Sequence, residues 1–181
     1  MKKLIPIIIL FAGINLYGQS PLQPELFQNR IGQLSQRLGT LIHRQVIEIG
    51  AVRNLRIQVI TVTDIGTGAK ASGIKIEPIP AVDASPVGRP MALLDPEEVD
   101  ALIKSVDYLK TDVYTNFPEN YTDAFYTTND GFTAGVVFAD KQWRGVVKLN
   151  KFESNTPYFL RMPDDFNVLL ELLRQAKAKI K

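Results

Sequence analysis

The sequence predicts an α+β protein, with an N-terminal helix followed by two pseudo-repeated units, each an antiparallel sheet with a helix. Three observations carry that expectation. Runs rich in β-branched and aromatic residues are punctuated by turn signals, Gly66-Thr67-Gly68 and Asn129-Asp130-Gly131 among them. Two amphipathic stretches, each opened by a proline and carboxylates, have the spacing of helices. Those two stretches also superpose on each other at a fixed offset of 67 residues.

Composition bounds the rest. Of 181 residues 45% are apolar and 22% charged, which excludes a disordered or low-complexity chain. Cysteine is absent, so disulfides and thiolate chemistry are excluded. One histidine, His43, rules out any site built on two imidazoles.

Residues 1–18 have the layout of a secretory signal peptide. Lys2 and Lys3 precede an apolar stretch, and small and polar residues follow as far as Gly18. The apolar stretch falls short of the roughly 20 residues a membrane-spanning helix needs. The chain is therefore expected to be exported to the periplasm or beyond, with no transmembrane segment once the leader is cleaved. Removing Lys2 and Lys3 from 21 basic residues leaves them equal in number to the 19 acidic ones. The basic precursor thus gives no electrostatic argument for nucleic-acid binding.

Residues 19–50 are expected to form a short leader and a helix, because Phe27, Ile31, Leu34, Leu38 and Leu41 recur at steps of four and three. Gly32 and Gly39 weaken such a helix, so it should depend on docking. Residues 51–110 form the first strand-strand-helix unit: strands over 55–64 and 73–79, a proline-rich loop over 80–90, then a helix. Asp95-Pro96-Glu97-Glu98 is a complete helix start, with Val99, Leu102, Ile103, Val106 and Leu109 as its apolar face.

Residues 111–181 form the second unit. Strands are expected over 121–128, 132–139, 143–149 and 158–161, then a helix from 164 to about 179. At the 67-residue offset Leu93 falls on Leu160 and Pro96 on Pro163. Val99, Leu102, Ile103 and Val106 fall on Phe166, Leu169, Leu170 and Leu173.

The second unit is similar in element order to the Whirly and Pur-type single-stranded nucleic-acid binders. Element order does not fix a ligand, and an exported chain without net charge is not expected to bind nucleic acid.

Alternation along the strands places Phe132, Ala134, Val136 and Phe138, with Trp143, Gly145, Val147 and Leu149, on a core face. The opposite face carries Thr133, Gly135, Val137, Arg144, Val146 and Lys148. Tyr126, Thr128, Thr133, Arg144 and Lys148 are the candidate binding residues. His43, expected late in the first helix, lacks the HExxH spacing and the GxSxG elbow of hydrolytic sites. Residues 91–130 carry nine carboxylates against two lysines, but none of their spacings is that of an EF-hand loop. No cofactor or metal is expected. The functional expectation is a non-catalytic module that binds an envelope protein or small ligand, with self-association through the N-terminal helix. The alternative is a hydrolase of envelope glycan or peptide using paired carboxylates.

Overall fold

The computed structural model describes residues 27–79, 90–149 and 157–180. The expected signal peptide and most of the proline-rich loop lie outside the described residues. The chain is α+β, with three helices and two four-stranded antiparallel sheets among the described residues.

The first sheet has the order β1-β2-β3-β4, built from Ile42–Val52, Leu55–Asp64, Lys70–Pro78 and Ala92–Leu94. The second repeats that meander with β5 (Thr122–Thr127), β6 (Thr133–Ala139), β7 (Gln142–Lys148) and β8 (Tyr158–Leu160). Helix α1 is Arg30–Ser35, α2 is Pro96–Tyr108 and α3 is Asp164–Lys177. A π-helical turn, Leu109–Val113, continues α2. No described helix is long and apolar enough to cross a membrane.

One expectation is corrected here. The long N-terminal helix is a single short helix, α1, and the stretch expected to complete it is strand β1. Ile31 and Leu34 are buried as predicted, but Leu38 and Leu41 are 90% and 69% exposed. Gly39 takes φ +74°, which breaks the helical path. Beyond it Ile42, Val46, Ile47, Ile49 and Val52 are β-branched, and the chain pairs as a strand with the β-branched β2. His43 therefore stands on an exposed strand, opposite Thr63.

Helices α2 and α3 pack on each other, and α3, the last element of the chain, lies across β1, β2 and β3 of the first sheet. Helix α2 touches β3 and β4 on one side and β6 on the other. Val59 and Ile76 of the first sheet, Leu102 and Phe166 of the helices and Val136 of the second sheet thus share one apolar core. Ion pairs between Arg174 and Asp107 (3.6 Å) and between Lys177 and Asp100 rim the helix contact. Exposed as they are, such pairs add little beside the apolar burial.

Helix α1 covers the other face of the first sheet, where Ile31 and Leu34 meet Ile60, Val62 and Leu93. Its start is held by two acidic residues. Asp95, which caps α2, accepts from Arg30 N at 2.9 Å and Arg30 Nε at 3.2 Å. Asp130, in the β5–β6 turn, accepts from the backbone N–H groups of Gln28 and Asn29. Two of the nine carboxylates in the acidic segment thus fasten the N-terminal segment, one at the start of α2 and one at the β5–β6 turn.

Asp64 organises the β2–β3 turn. Its carboxylate is buried and accepts from the Thr40 hydroxyl, from Arg37 at 3.1 Å, and from Gly66 N–H at 2.9 Å and Thr67 N–H at 3.2 Å. These bonds, that from Thr40 foremost, hold its pKa far below the usual carboxylate range despite burial. A depressed folded pKa makes Asp64 stabilising at neutral pH, and this contribution fades as pH falls from the unfolded value of about 4 through the folded one. Asp64→Asn should therefore lower stability at pH 7 and flatten the loss between pH 5 and 3, read by denaturant unfolding at each pH. Glu98 works in the opposite sense, since burial raises its carboxyl.

Candidate binding face

Register decides which side chains share the exposed face of the second sheet. Phe125 pairs with Gly135, Gly135 with Val146, and Val146 with Phe159, one unbroken row across all four strands. Phe125 and Phe159 are 42% and 59% exposed, whereas Val146 between them is only 5% exposed. Two rings therefore stand above a low floor of glycine and valine.

The floor has a steric cause. A Cβ at Gly135 would lie 2.2 Å from Ala124 O and 2.3 Å from Phe125 Cδ1, so only glycine lets that ring lean over β6. On one side of the row stand Asp123, Val137 and Arg144, and on the other Thr127, Thr133 and Lys148. The Thr127 and Thr133 hydroxyls are 3.1 Å apart and hydrogen-bonded.

Arg144 and Lys148 are both exposed. Arg144 touches Asp140 at 3.4 Å, with the two side chains 50% and 82% exposed, a contact that water and salt compete with readily. Lys148 makes no ion pair among the described residues. The two cations lie four residues apart on β7, on either side of Val146, and so bracket the apolar row.

Of the five candidate residues, Thr133, Arg144 and Lys148 lie on this face. Tyr126 and Thr128 do not. Tyr126 pairs with Ala134, packs against the core and donates its hydroxyl to Glu98 O at 3.3 Å. Thr128 is buried, and its hydroxyl oxygen accepts from Phe132 N–H at 3.1 Å, closing the turn. The pairing of Thr127, not Thr128, with Thr133 sets the parity of β5 and sends Phe125 outward.

Phe125 and Phe159 are the members the sequence reading missed. Both sit beside a second large apolar residue, Tyr126 and Leu160, so hydrophobicity alone does not say which of each pair faces out.

The inner face is packed as expected. Phe132, Ala134, Val136, Val147 and Leu149 are buried, and Trp143 meets Phe138 edge-on at 5.2 Å. The Trp143 Nε1–H donates to Asn116 O at 2.8 Å, fixing the connector that precedes β5.

Carboxylates of the acidic segment are engaged within the chain, and Asp95 and Asp130 lie close enough to Glu98 to act on its charge. Glu97 meets Arg30, Glu98 accepts from Asp95 N–H at 3.1 Å, and Asp123 accepts from the Tyr121 hydroxyl at 2.9 Å. No cluster of three or more metal-ligating side chains occurs among the described residues. Comparison with protein-family models, with curated proteins and with solved structures finds no match to this chain.

Proposed function

We propose that the chain is a non-catalytic binding module of the bacterial periplasm or cell surface, and that it engages its partner through the outer face of the second sheet. The observation that carries this reading is the row Phe125–Gly135–Val146–Phe159, flanked by Arg144 and Lys148. Half-exposed rings on a rigid sheet bind apolar or planar groups without first having to be ordered, since their backbone is fixed by the ladder. The flanking cations favour an acidic segment and steer its approach. An envelope protein offering an apolar, acidic extended segment, or a small ligand combining a flat ring with an acid, has the complementary chemistry. Export rests on the leader-like residues 1–18 of the sequence.

The finer architecture belongs to the same proposal. We read β1–β4 with α2 and β5–β8 with α3 as two copies of one ancestral unit. The common element order and the matched Val99/Phe166 to Val106/Leu173 faces support it. The copies differ at the helix start, where Pro96 is the first residue of α2 but Pro163 precedes α3 as its cap.

The test of the binding reading is affinity capture from a native envelope extract by the immobilised wild-type chain and by a Phe125→Ser/Phe159→Ser variant, with bound species identified by mass spectrometry. Both positions are exposed, so the variant should keep its circular dichroism and lose species that the wild type retains. Lys148→Glu should weaken the same capture several-fold at low salt and less at high salt. Identical bound sets for wild type and variant would refute the site.

A further inference from the structure

We propose that β1 is a dimerisation strand, pairing antiparallel with β1 of a second copy about a two-fold axis at Val46. The expected self-association would then run through a sheet edge, not a helix. Strand β1 is eleven residues long and lies at the edge of its sheet, and no described strand pairs with its outer side. Such an edge presents a row of unpaired N–H and C=O groups, and proteins usually blunt it with charged side chains, lysine above all, with proline, a bulge or a very short strand. Strand β1 has neither proline nor lysine between Ile42 and Glu48, and its two charges there, Arg44 and Glu48, are of opposite sign. Its irregularity, between Glu48 and Gly50, lies at the far end of that stretch. Val46 and Ile47, at its middle, are 49% and 46% exposed.

Register follows from elementary geometry. Alternate residues of β1 point their backbone groups at β2, and the others point outward. Two copies related by a two-fold axis expose the same alternate set, so the numbers of opposed residues sum to an even value and the axis falls on a residue. An axis at Arg44 would oppose Arg44 to itself, and one at Glu48 would oppose Glu48 to itself. Axes at Gln45 or Ile47 set a charge against Val46. Only the axis at Val46 places Arg44 opposite Glu48, and symmetry makes that pair twice. It also stacks the two Val46 side chains and sets Gln45 against Ile47.

Both side chains keep capacity for a further partner. Arg44 spends one terminal nitrogen on Ser35 O at 2.9 Å, and its guanidinium has no other partner among the described residues. Glu48 is 55% exposed, with one oxygen accepting from Gln58 at 2.8 Å and the other 3.7 Å from Arg56. Opposed unlike charges stabilise a strand pair and opposed like charges destabilise it. Reversing one residue converts two attractions into two repulsions, which corresponds to about a tenfold change in dissociation constant.

Sedimentation equilibrium of the purified chain across a concentration series should show a monomer–dimer equilibrium. Arg44→Glu and Glu48→Arg should each raise the dissociation constant about tenfold or more, with thermal unfolding confirming that each variant is folded. The double reversal R44E/E48R should restore it to near the wild-type value, although its contacts to Gln58, Arg56 and Ser35 within one chain are not restored. A structural role alone would leave the double variant as weak as the singles. A chain monomeric at every concentration, or a dimer indifferent to the single reversals, would overturn the proposal.

Discussion

Phe166→Ala is expected to lower unfolding free energy by about 3–5 kcal/mol, the range for truncating a large buried aromatic. Phe166 has no exposed surface. It opens α3, which lies across the first sheet, yet its ring rests on the second. A Cβ on Gly145 of β7 would be 2.4 Å from Phe166 Cε2, so the strand has given up its side chain to admit the ring. The cavity left by truncation would open where both sheets and both long helices meet, with Gly145 too small to fill it and the flanking strands held by their ladders. Domains of this size have about 5–15 kcal/mol of stability in all. The midpoint of thermal unfolding should therefore fall by about 10 °C. Val168→Ala, on the half-exposed side of the same helix, should change it by no more than about 0.5 kcal/mol. Urea unfolding of both variants measures the difference. A loss at Phe166 as small as that at Val168 would mean that α3 does not join the two sheets.

The position of Phe166 was legible in the sequence as an apolar-face residue, but its reach to the second sheet was not. Periodicity tells which side of a helix is apolar and says nothing about which sheet that side meets. The starts of α2 and α3, the β5–β6 turn and the inner faces of β6 and β7 were legible for a related reason. Each is fixed by residues adjacent in the chain: Asp95-Pro96 for a helix start, Asn129-Asp130-Gly131 for a turn, strict alternation for a face.

Failures came where two local rules competed. From Phe27 to Leu41 the apolar spacing is helical, while from Ile42 onward β-branching favours a strand, and no residue in the sequence alone marks the exchange. Gly39 does so in the structure, by its left-handed backbone. At the candidate face the competition was one of parity. Phe125 and Tyr126 are adjacent and both aromatic, so a one-residue change in the register of the turn exchanges their faces. Thr128 and Thr127 posed the same choice. The pairing of Thr127 with Thr133 resolved both.

Gly73→Ala is the second large effect, expected to cost about 3 kcal/mol, the upper end of overpacking losses. Gly73 lies on β3 opposite Ile60, on the face that α1 covers. An added Cβ would stand 2.2 Å from Leu94 O and 2.4 Å from Ile31 Cδ1. The two contacts differ in kind. Ile31 is a side chain on a six-residue helix and can yield, whereas Leu94 O is backbone of β4, held in register by the pairing of Ile74 with Leu94. The methyl group must then part β3 from β4 or lift the strand that leads directly into Asp95 and α2. Either movement also disturbs the bonds from Arg30 to Asp95 that fasten α1. Combining Gly73→Ala with Ile31→Ala separates the contributions. The double variant should recover only the part of the strain due to Ile31, so the loss from Gly73→Ala should remain substantial in the Ile31→Ala background. Gly39→Ala supplies the comparison, because its φ of +74° makes alanine costly by about 1 kcal/mol while nothing lies within 4 Å of the new Cβ. If Gly73→Ala proves no worse than Gly39→Ala, β4 is not clamped against β3, and the close approach of the two strands ceases to be what fixes the start of α2.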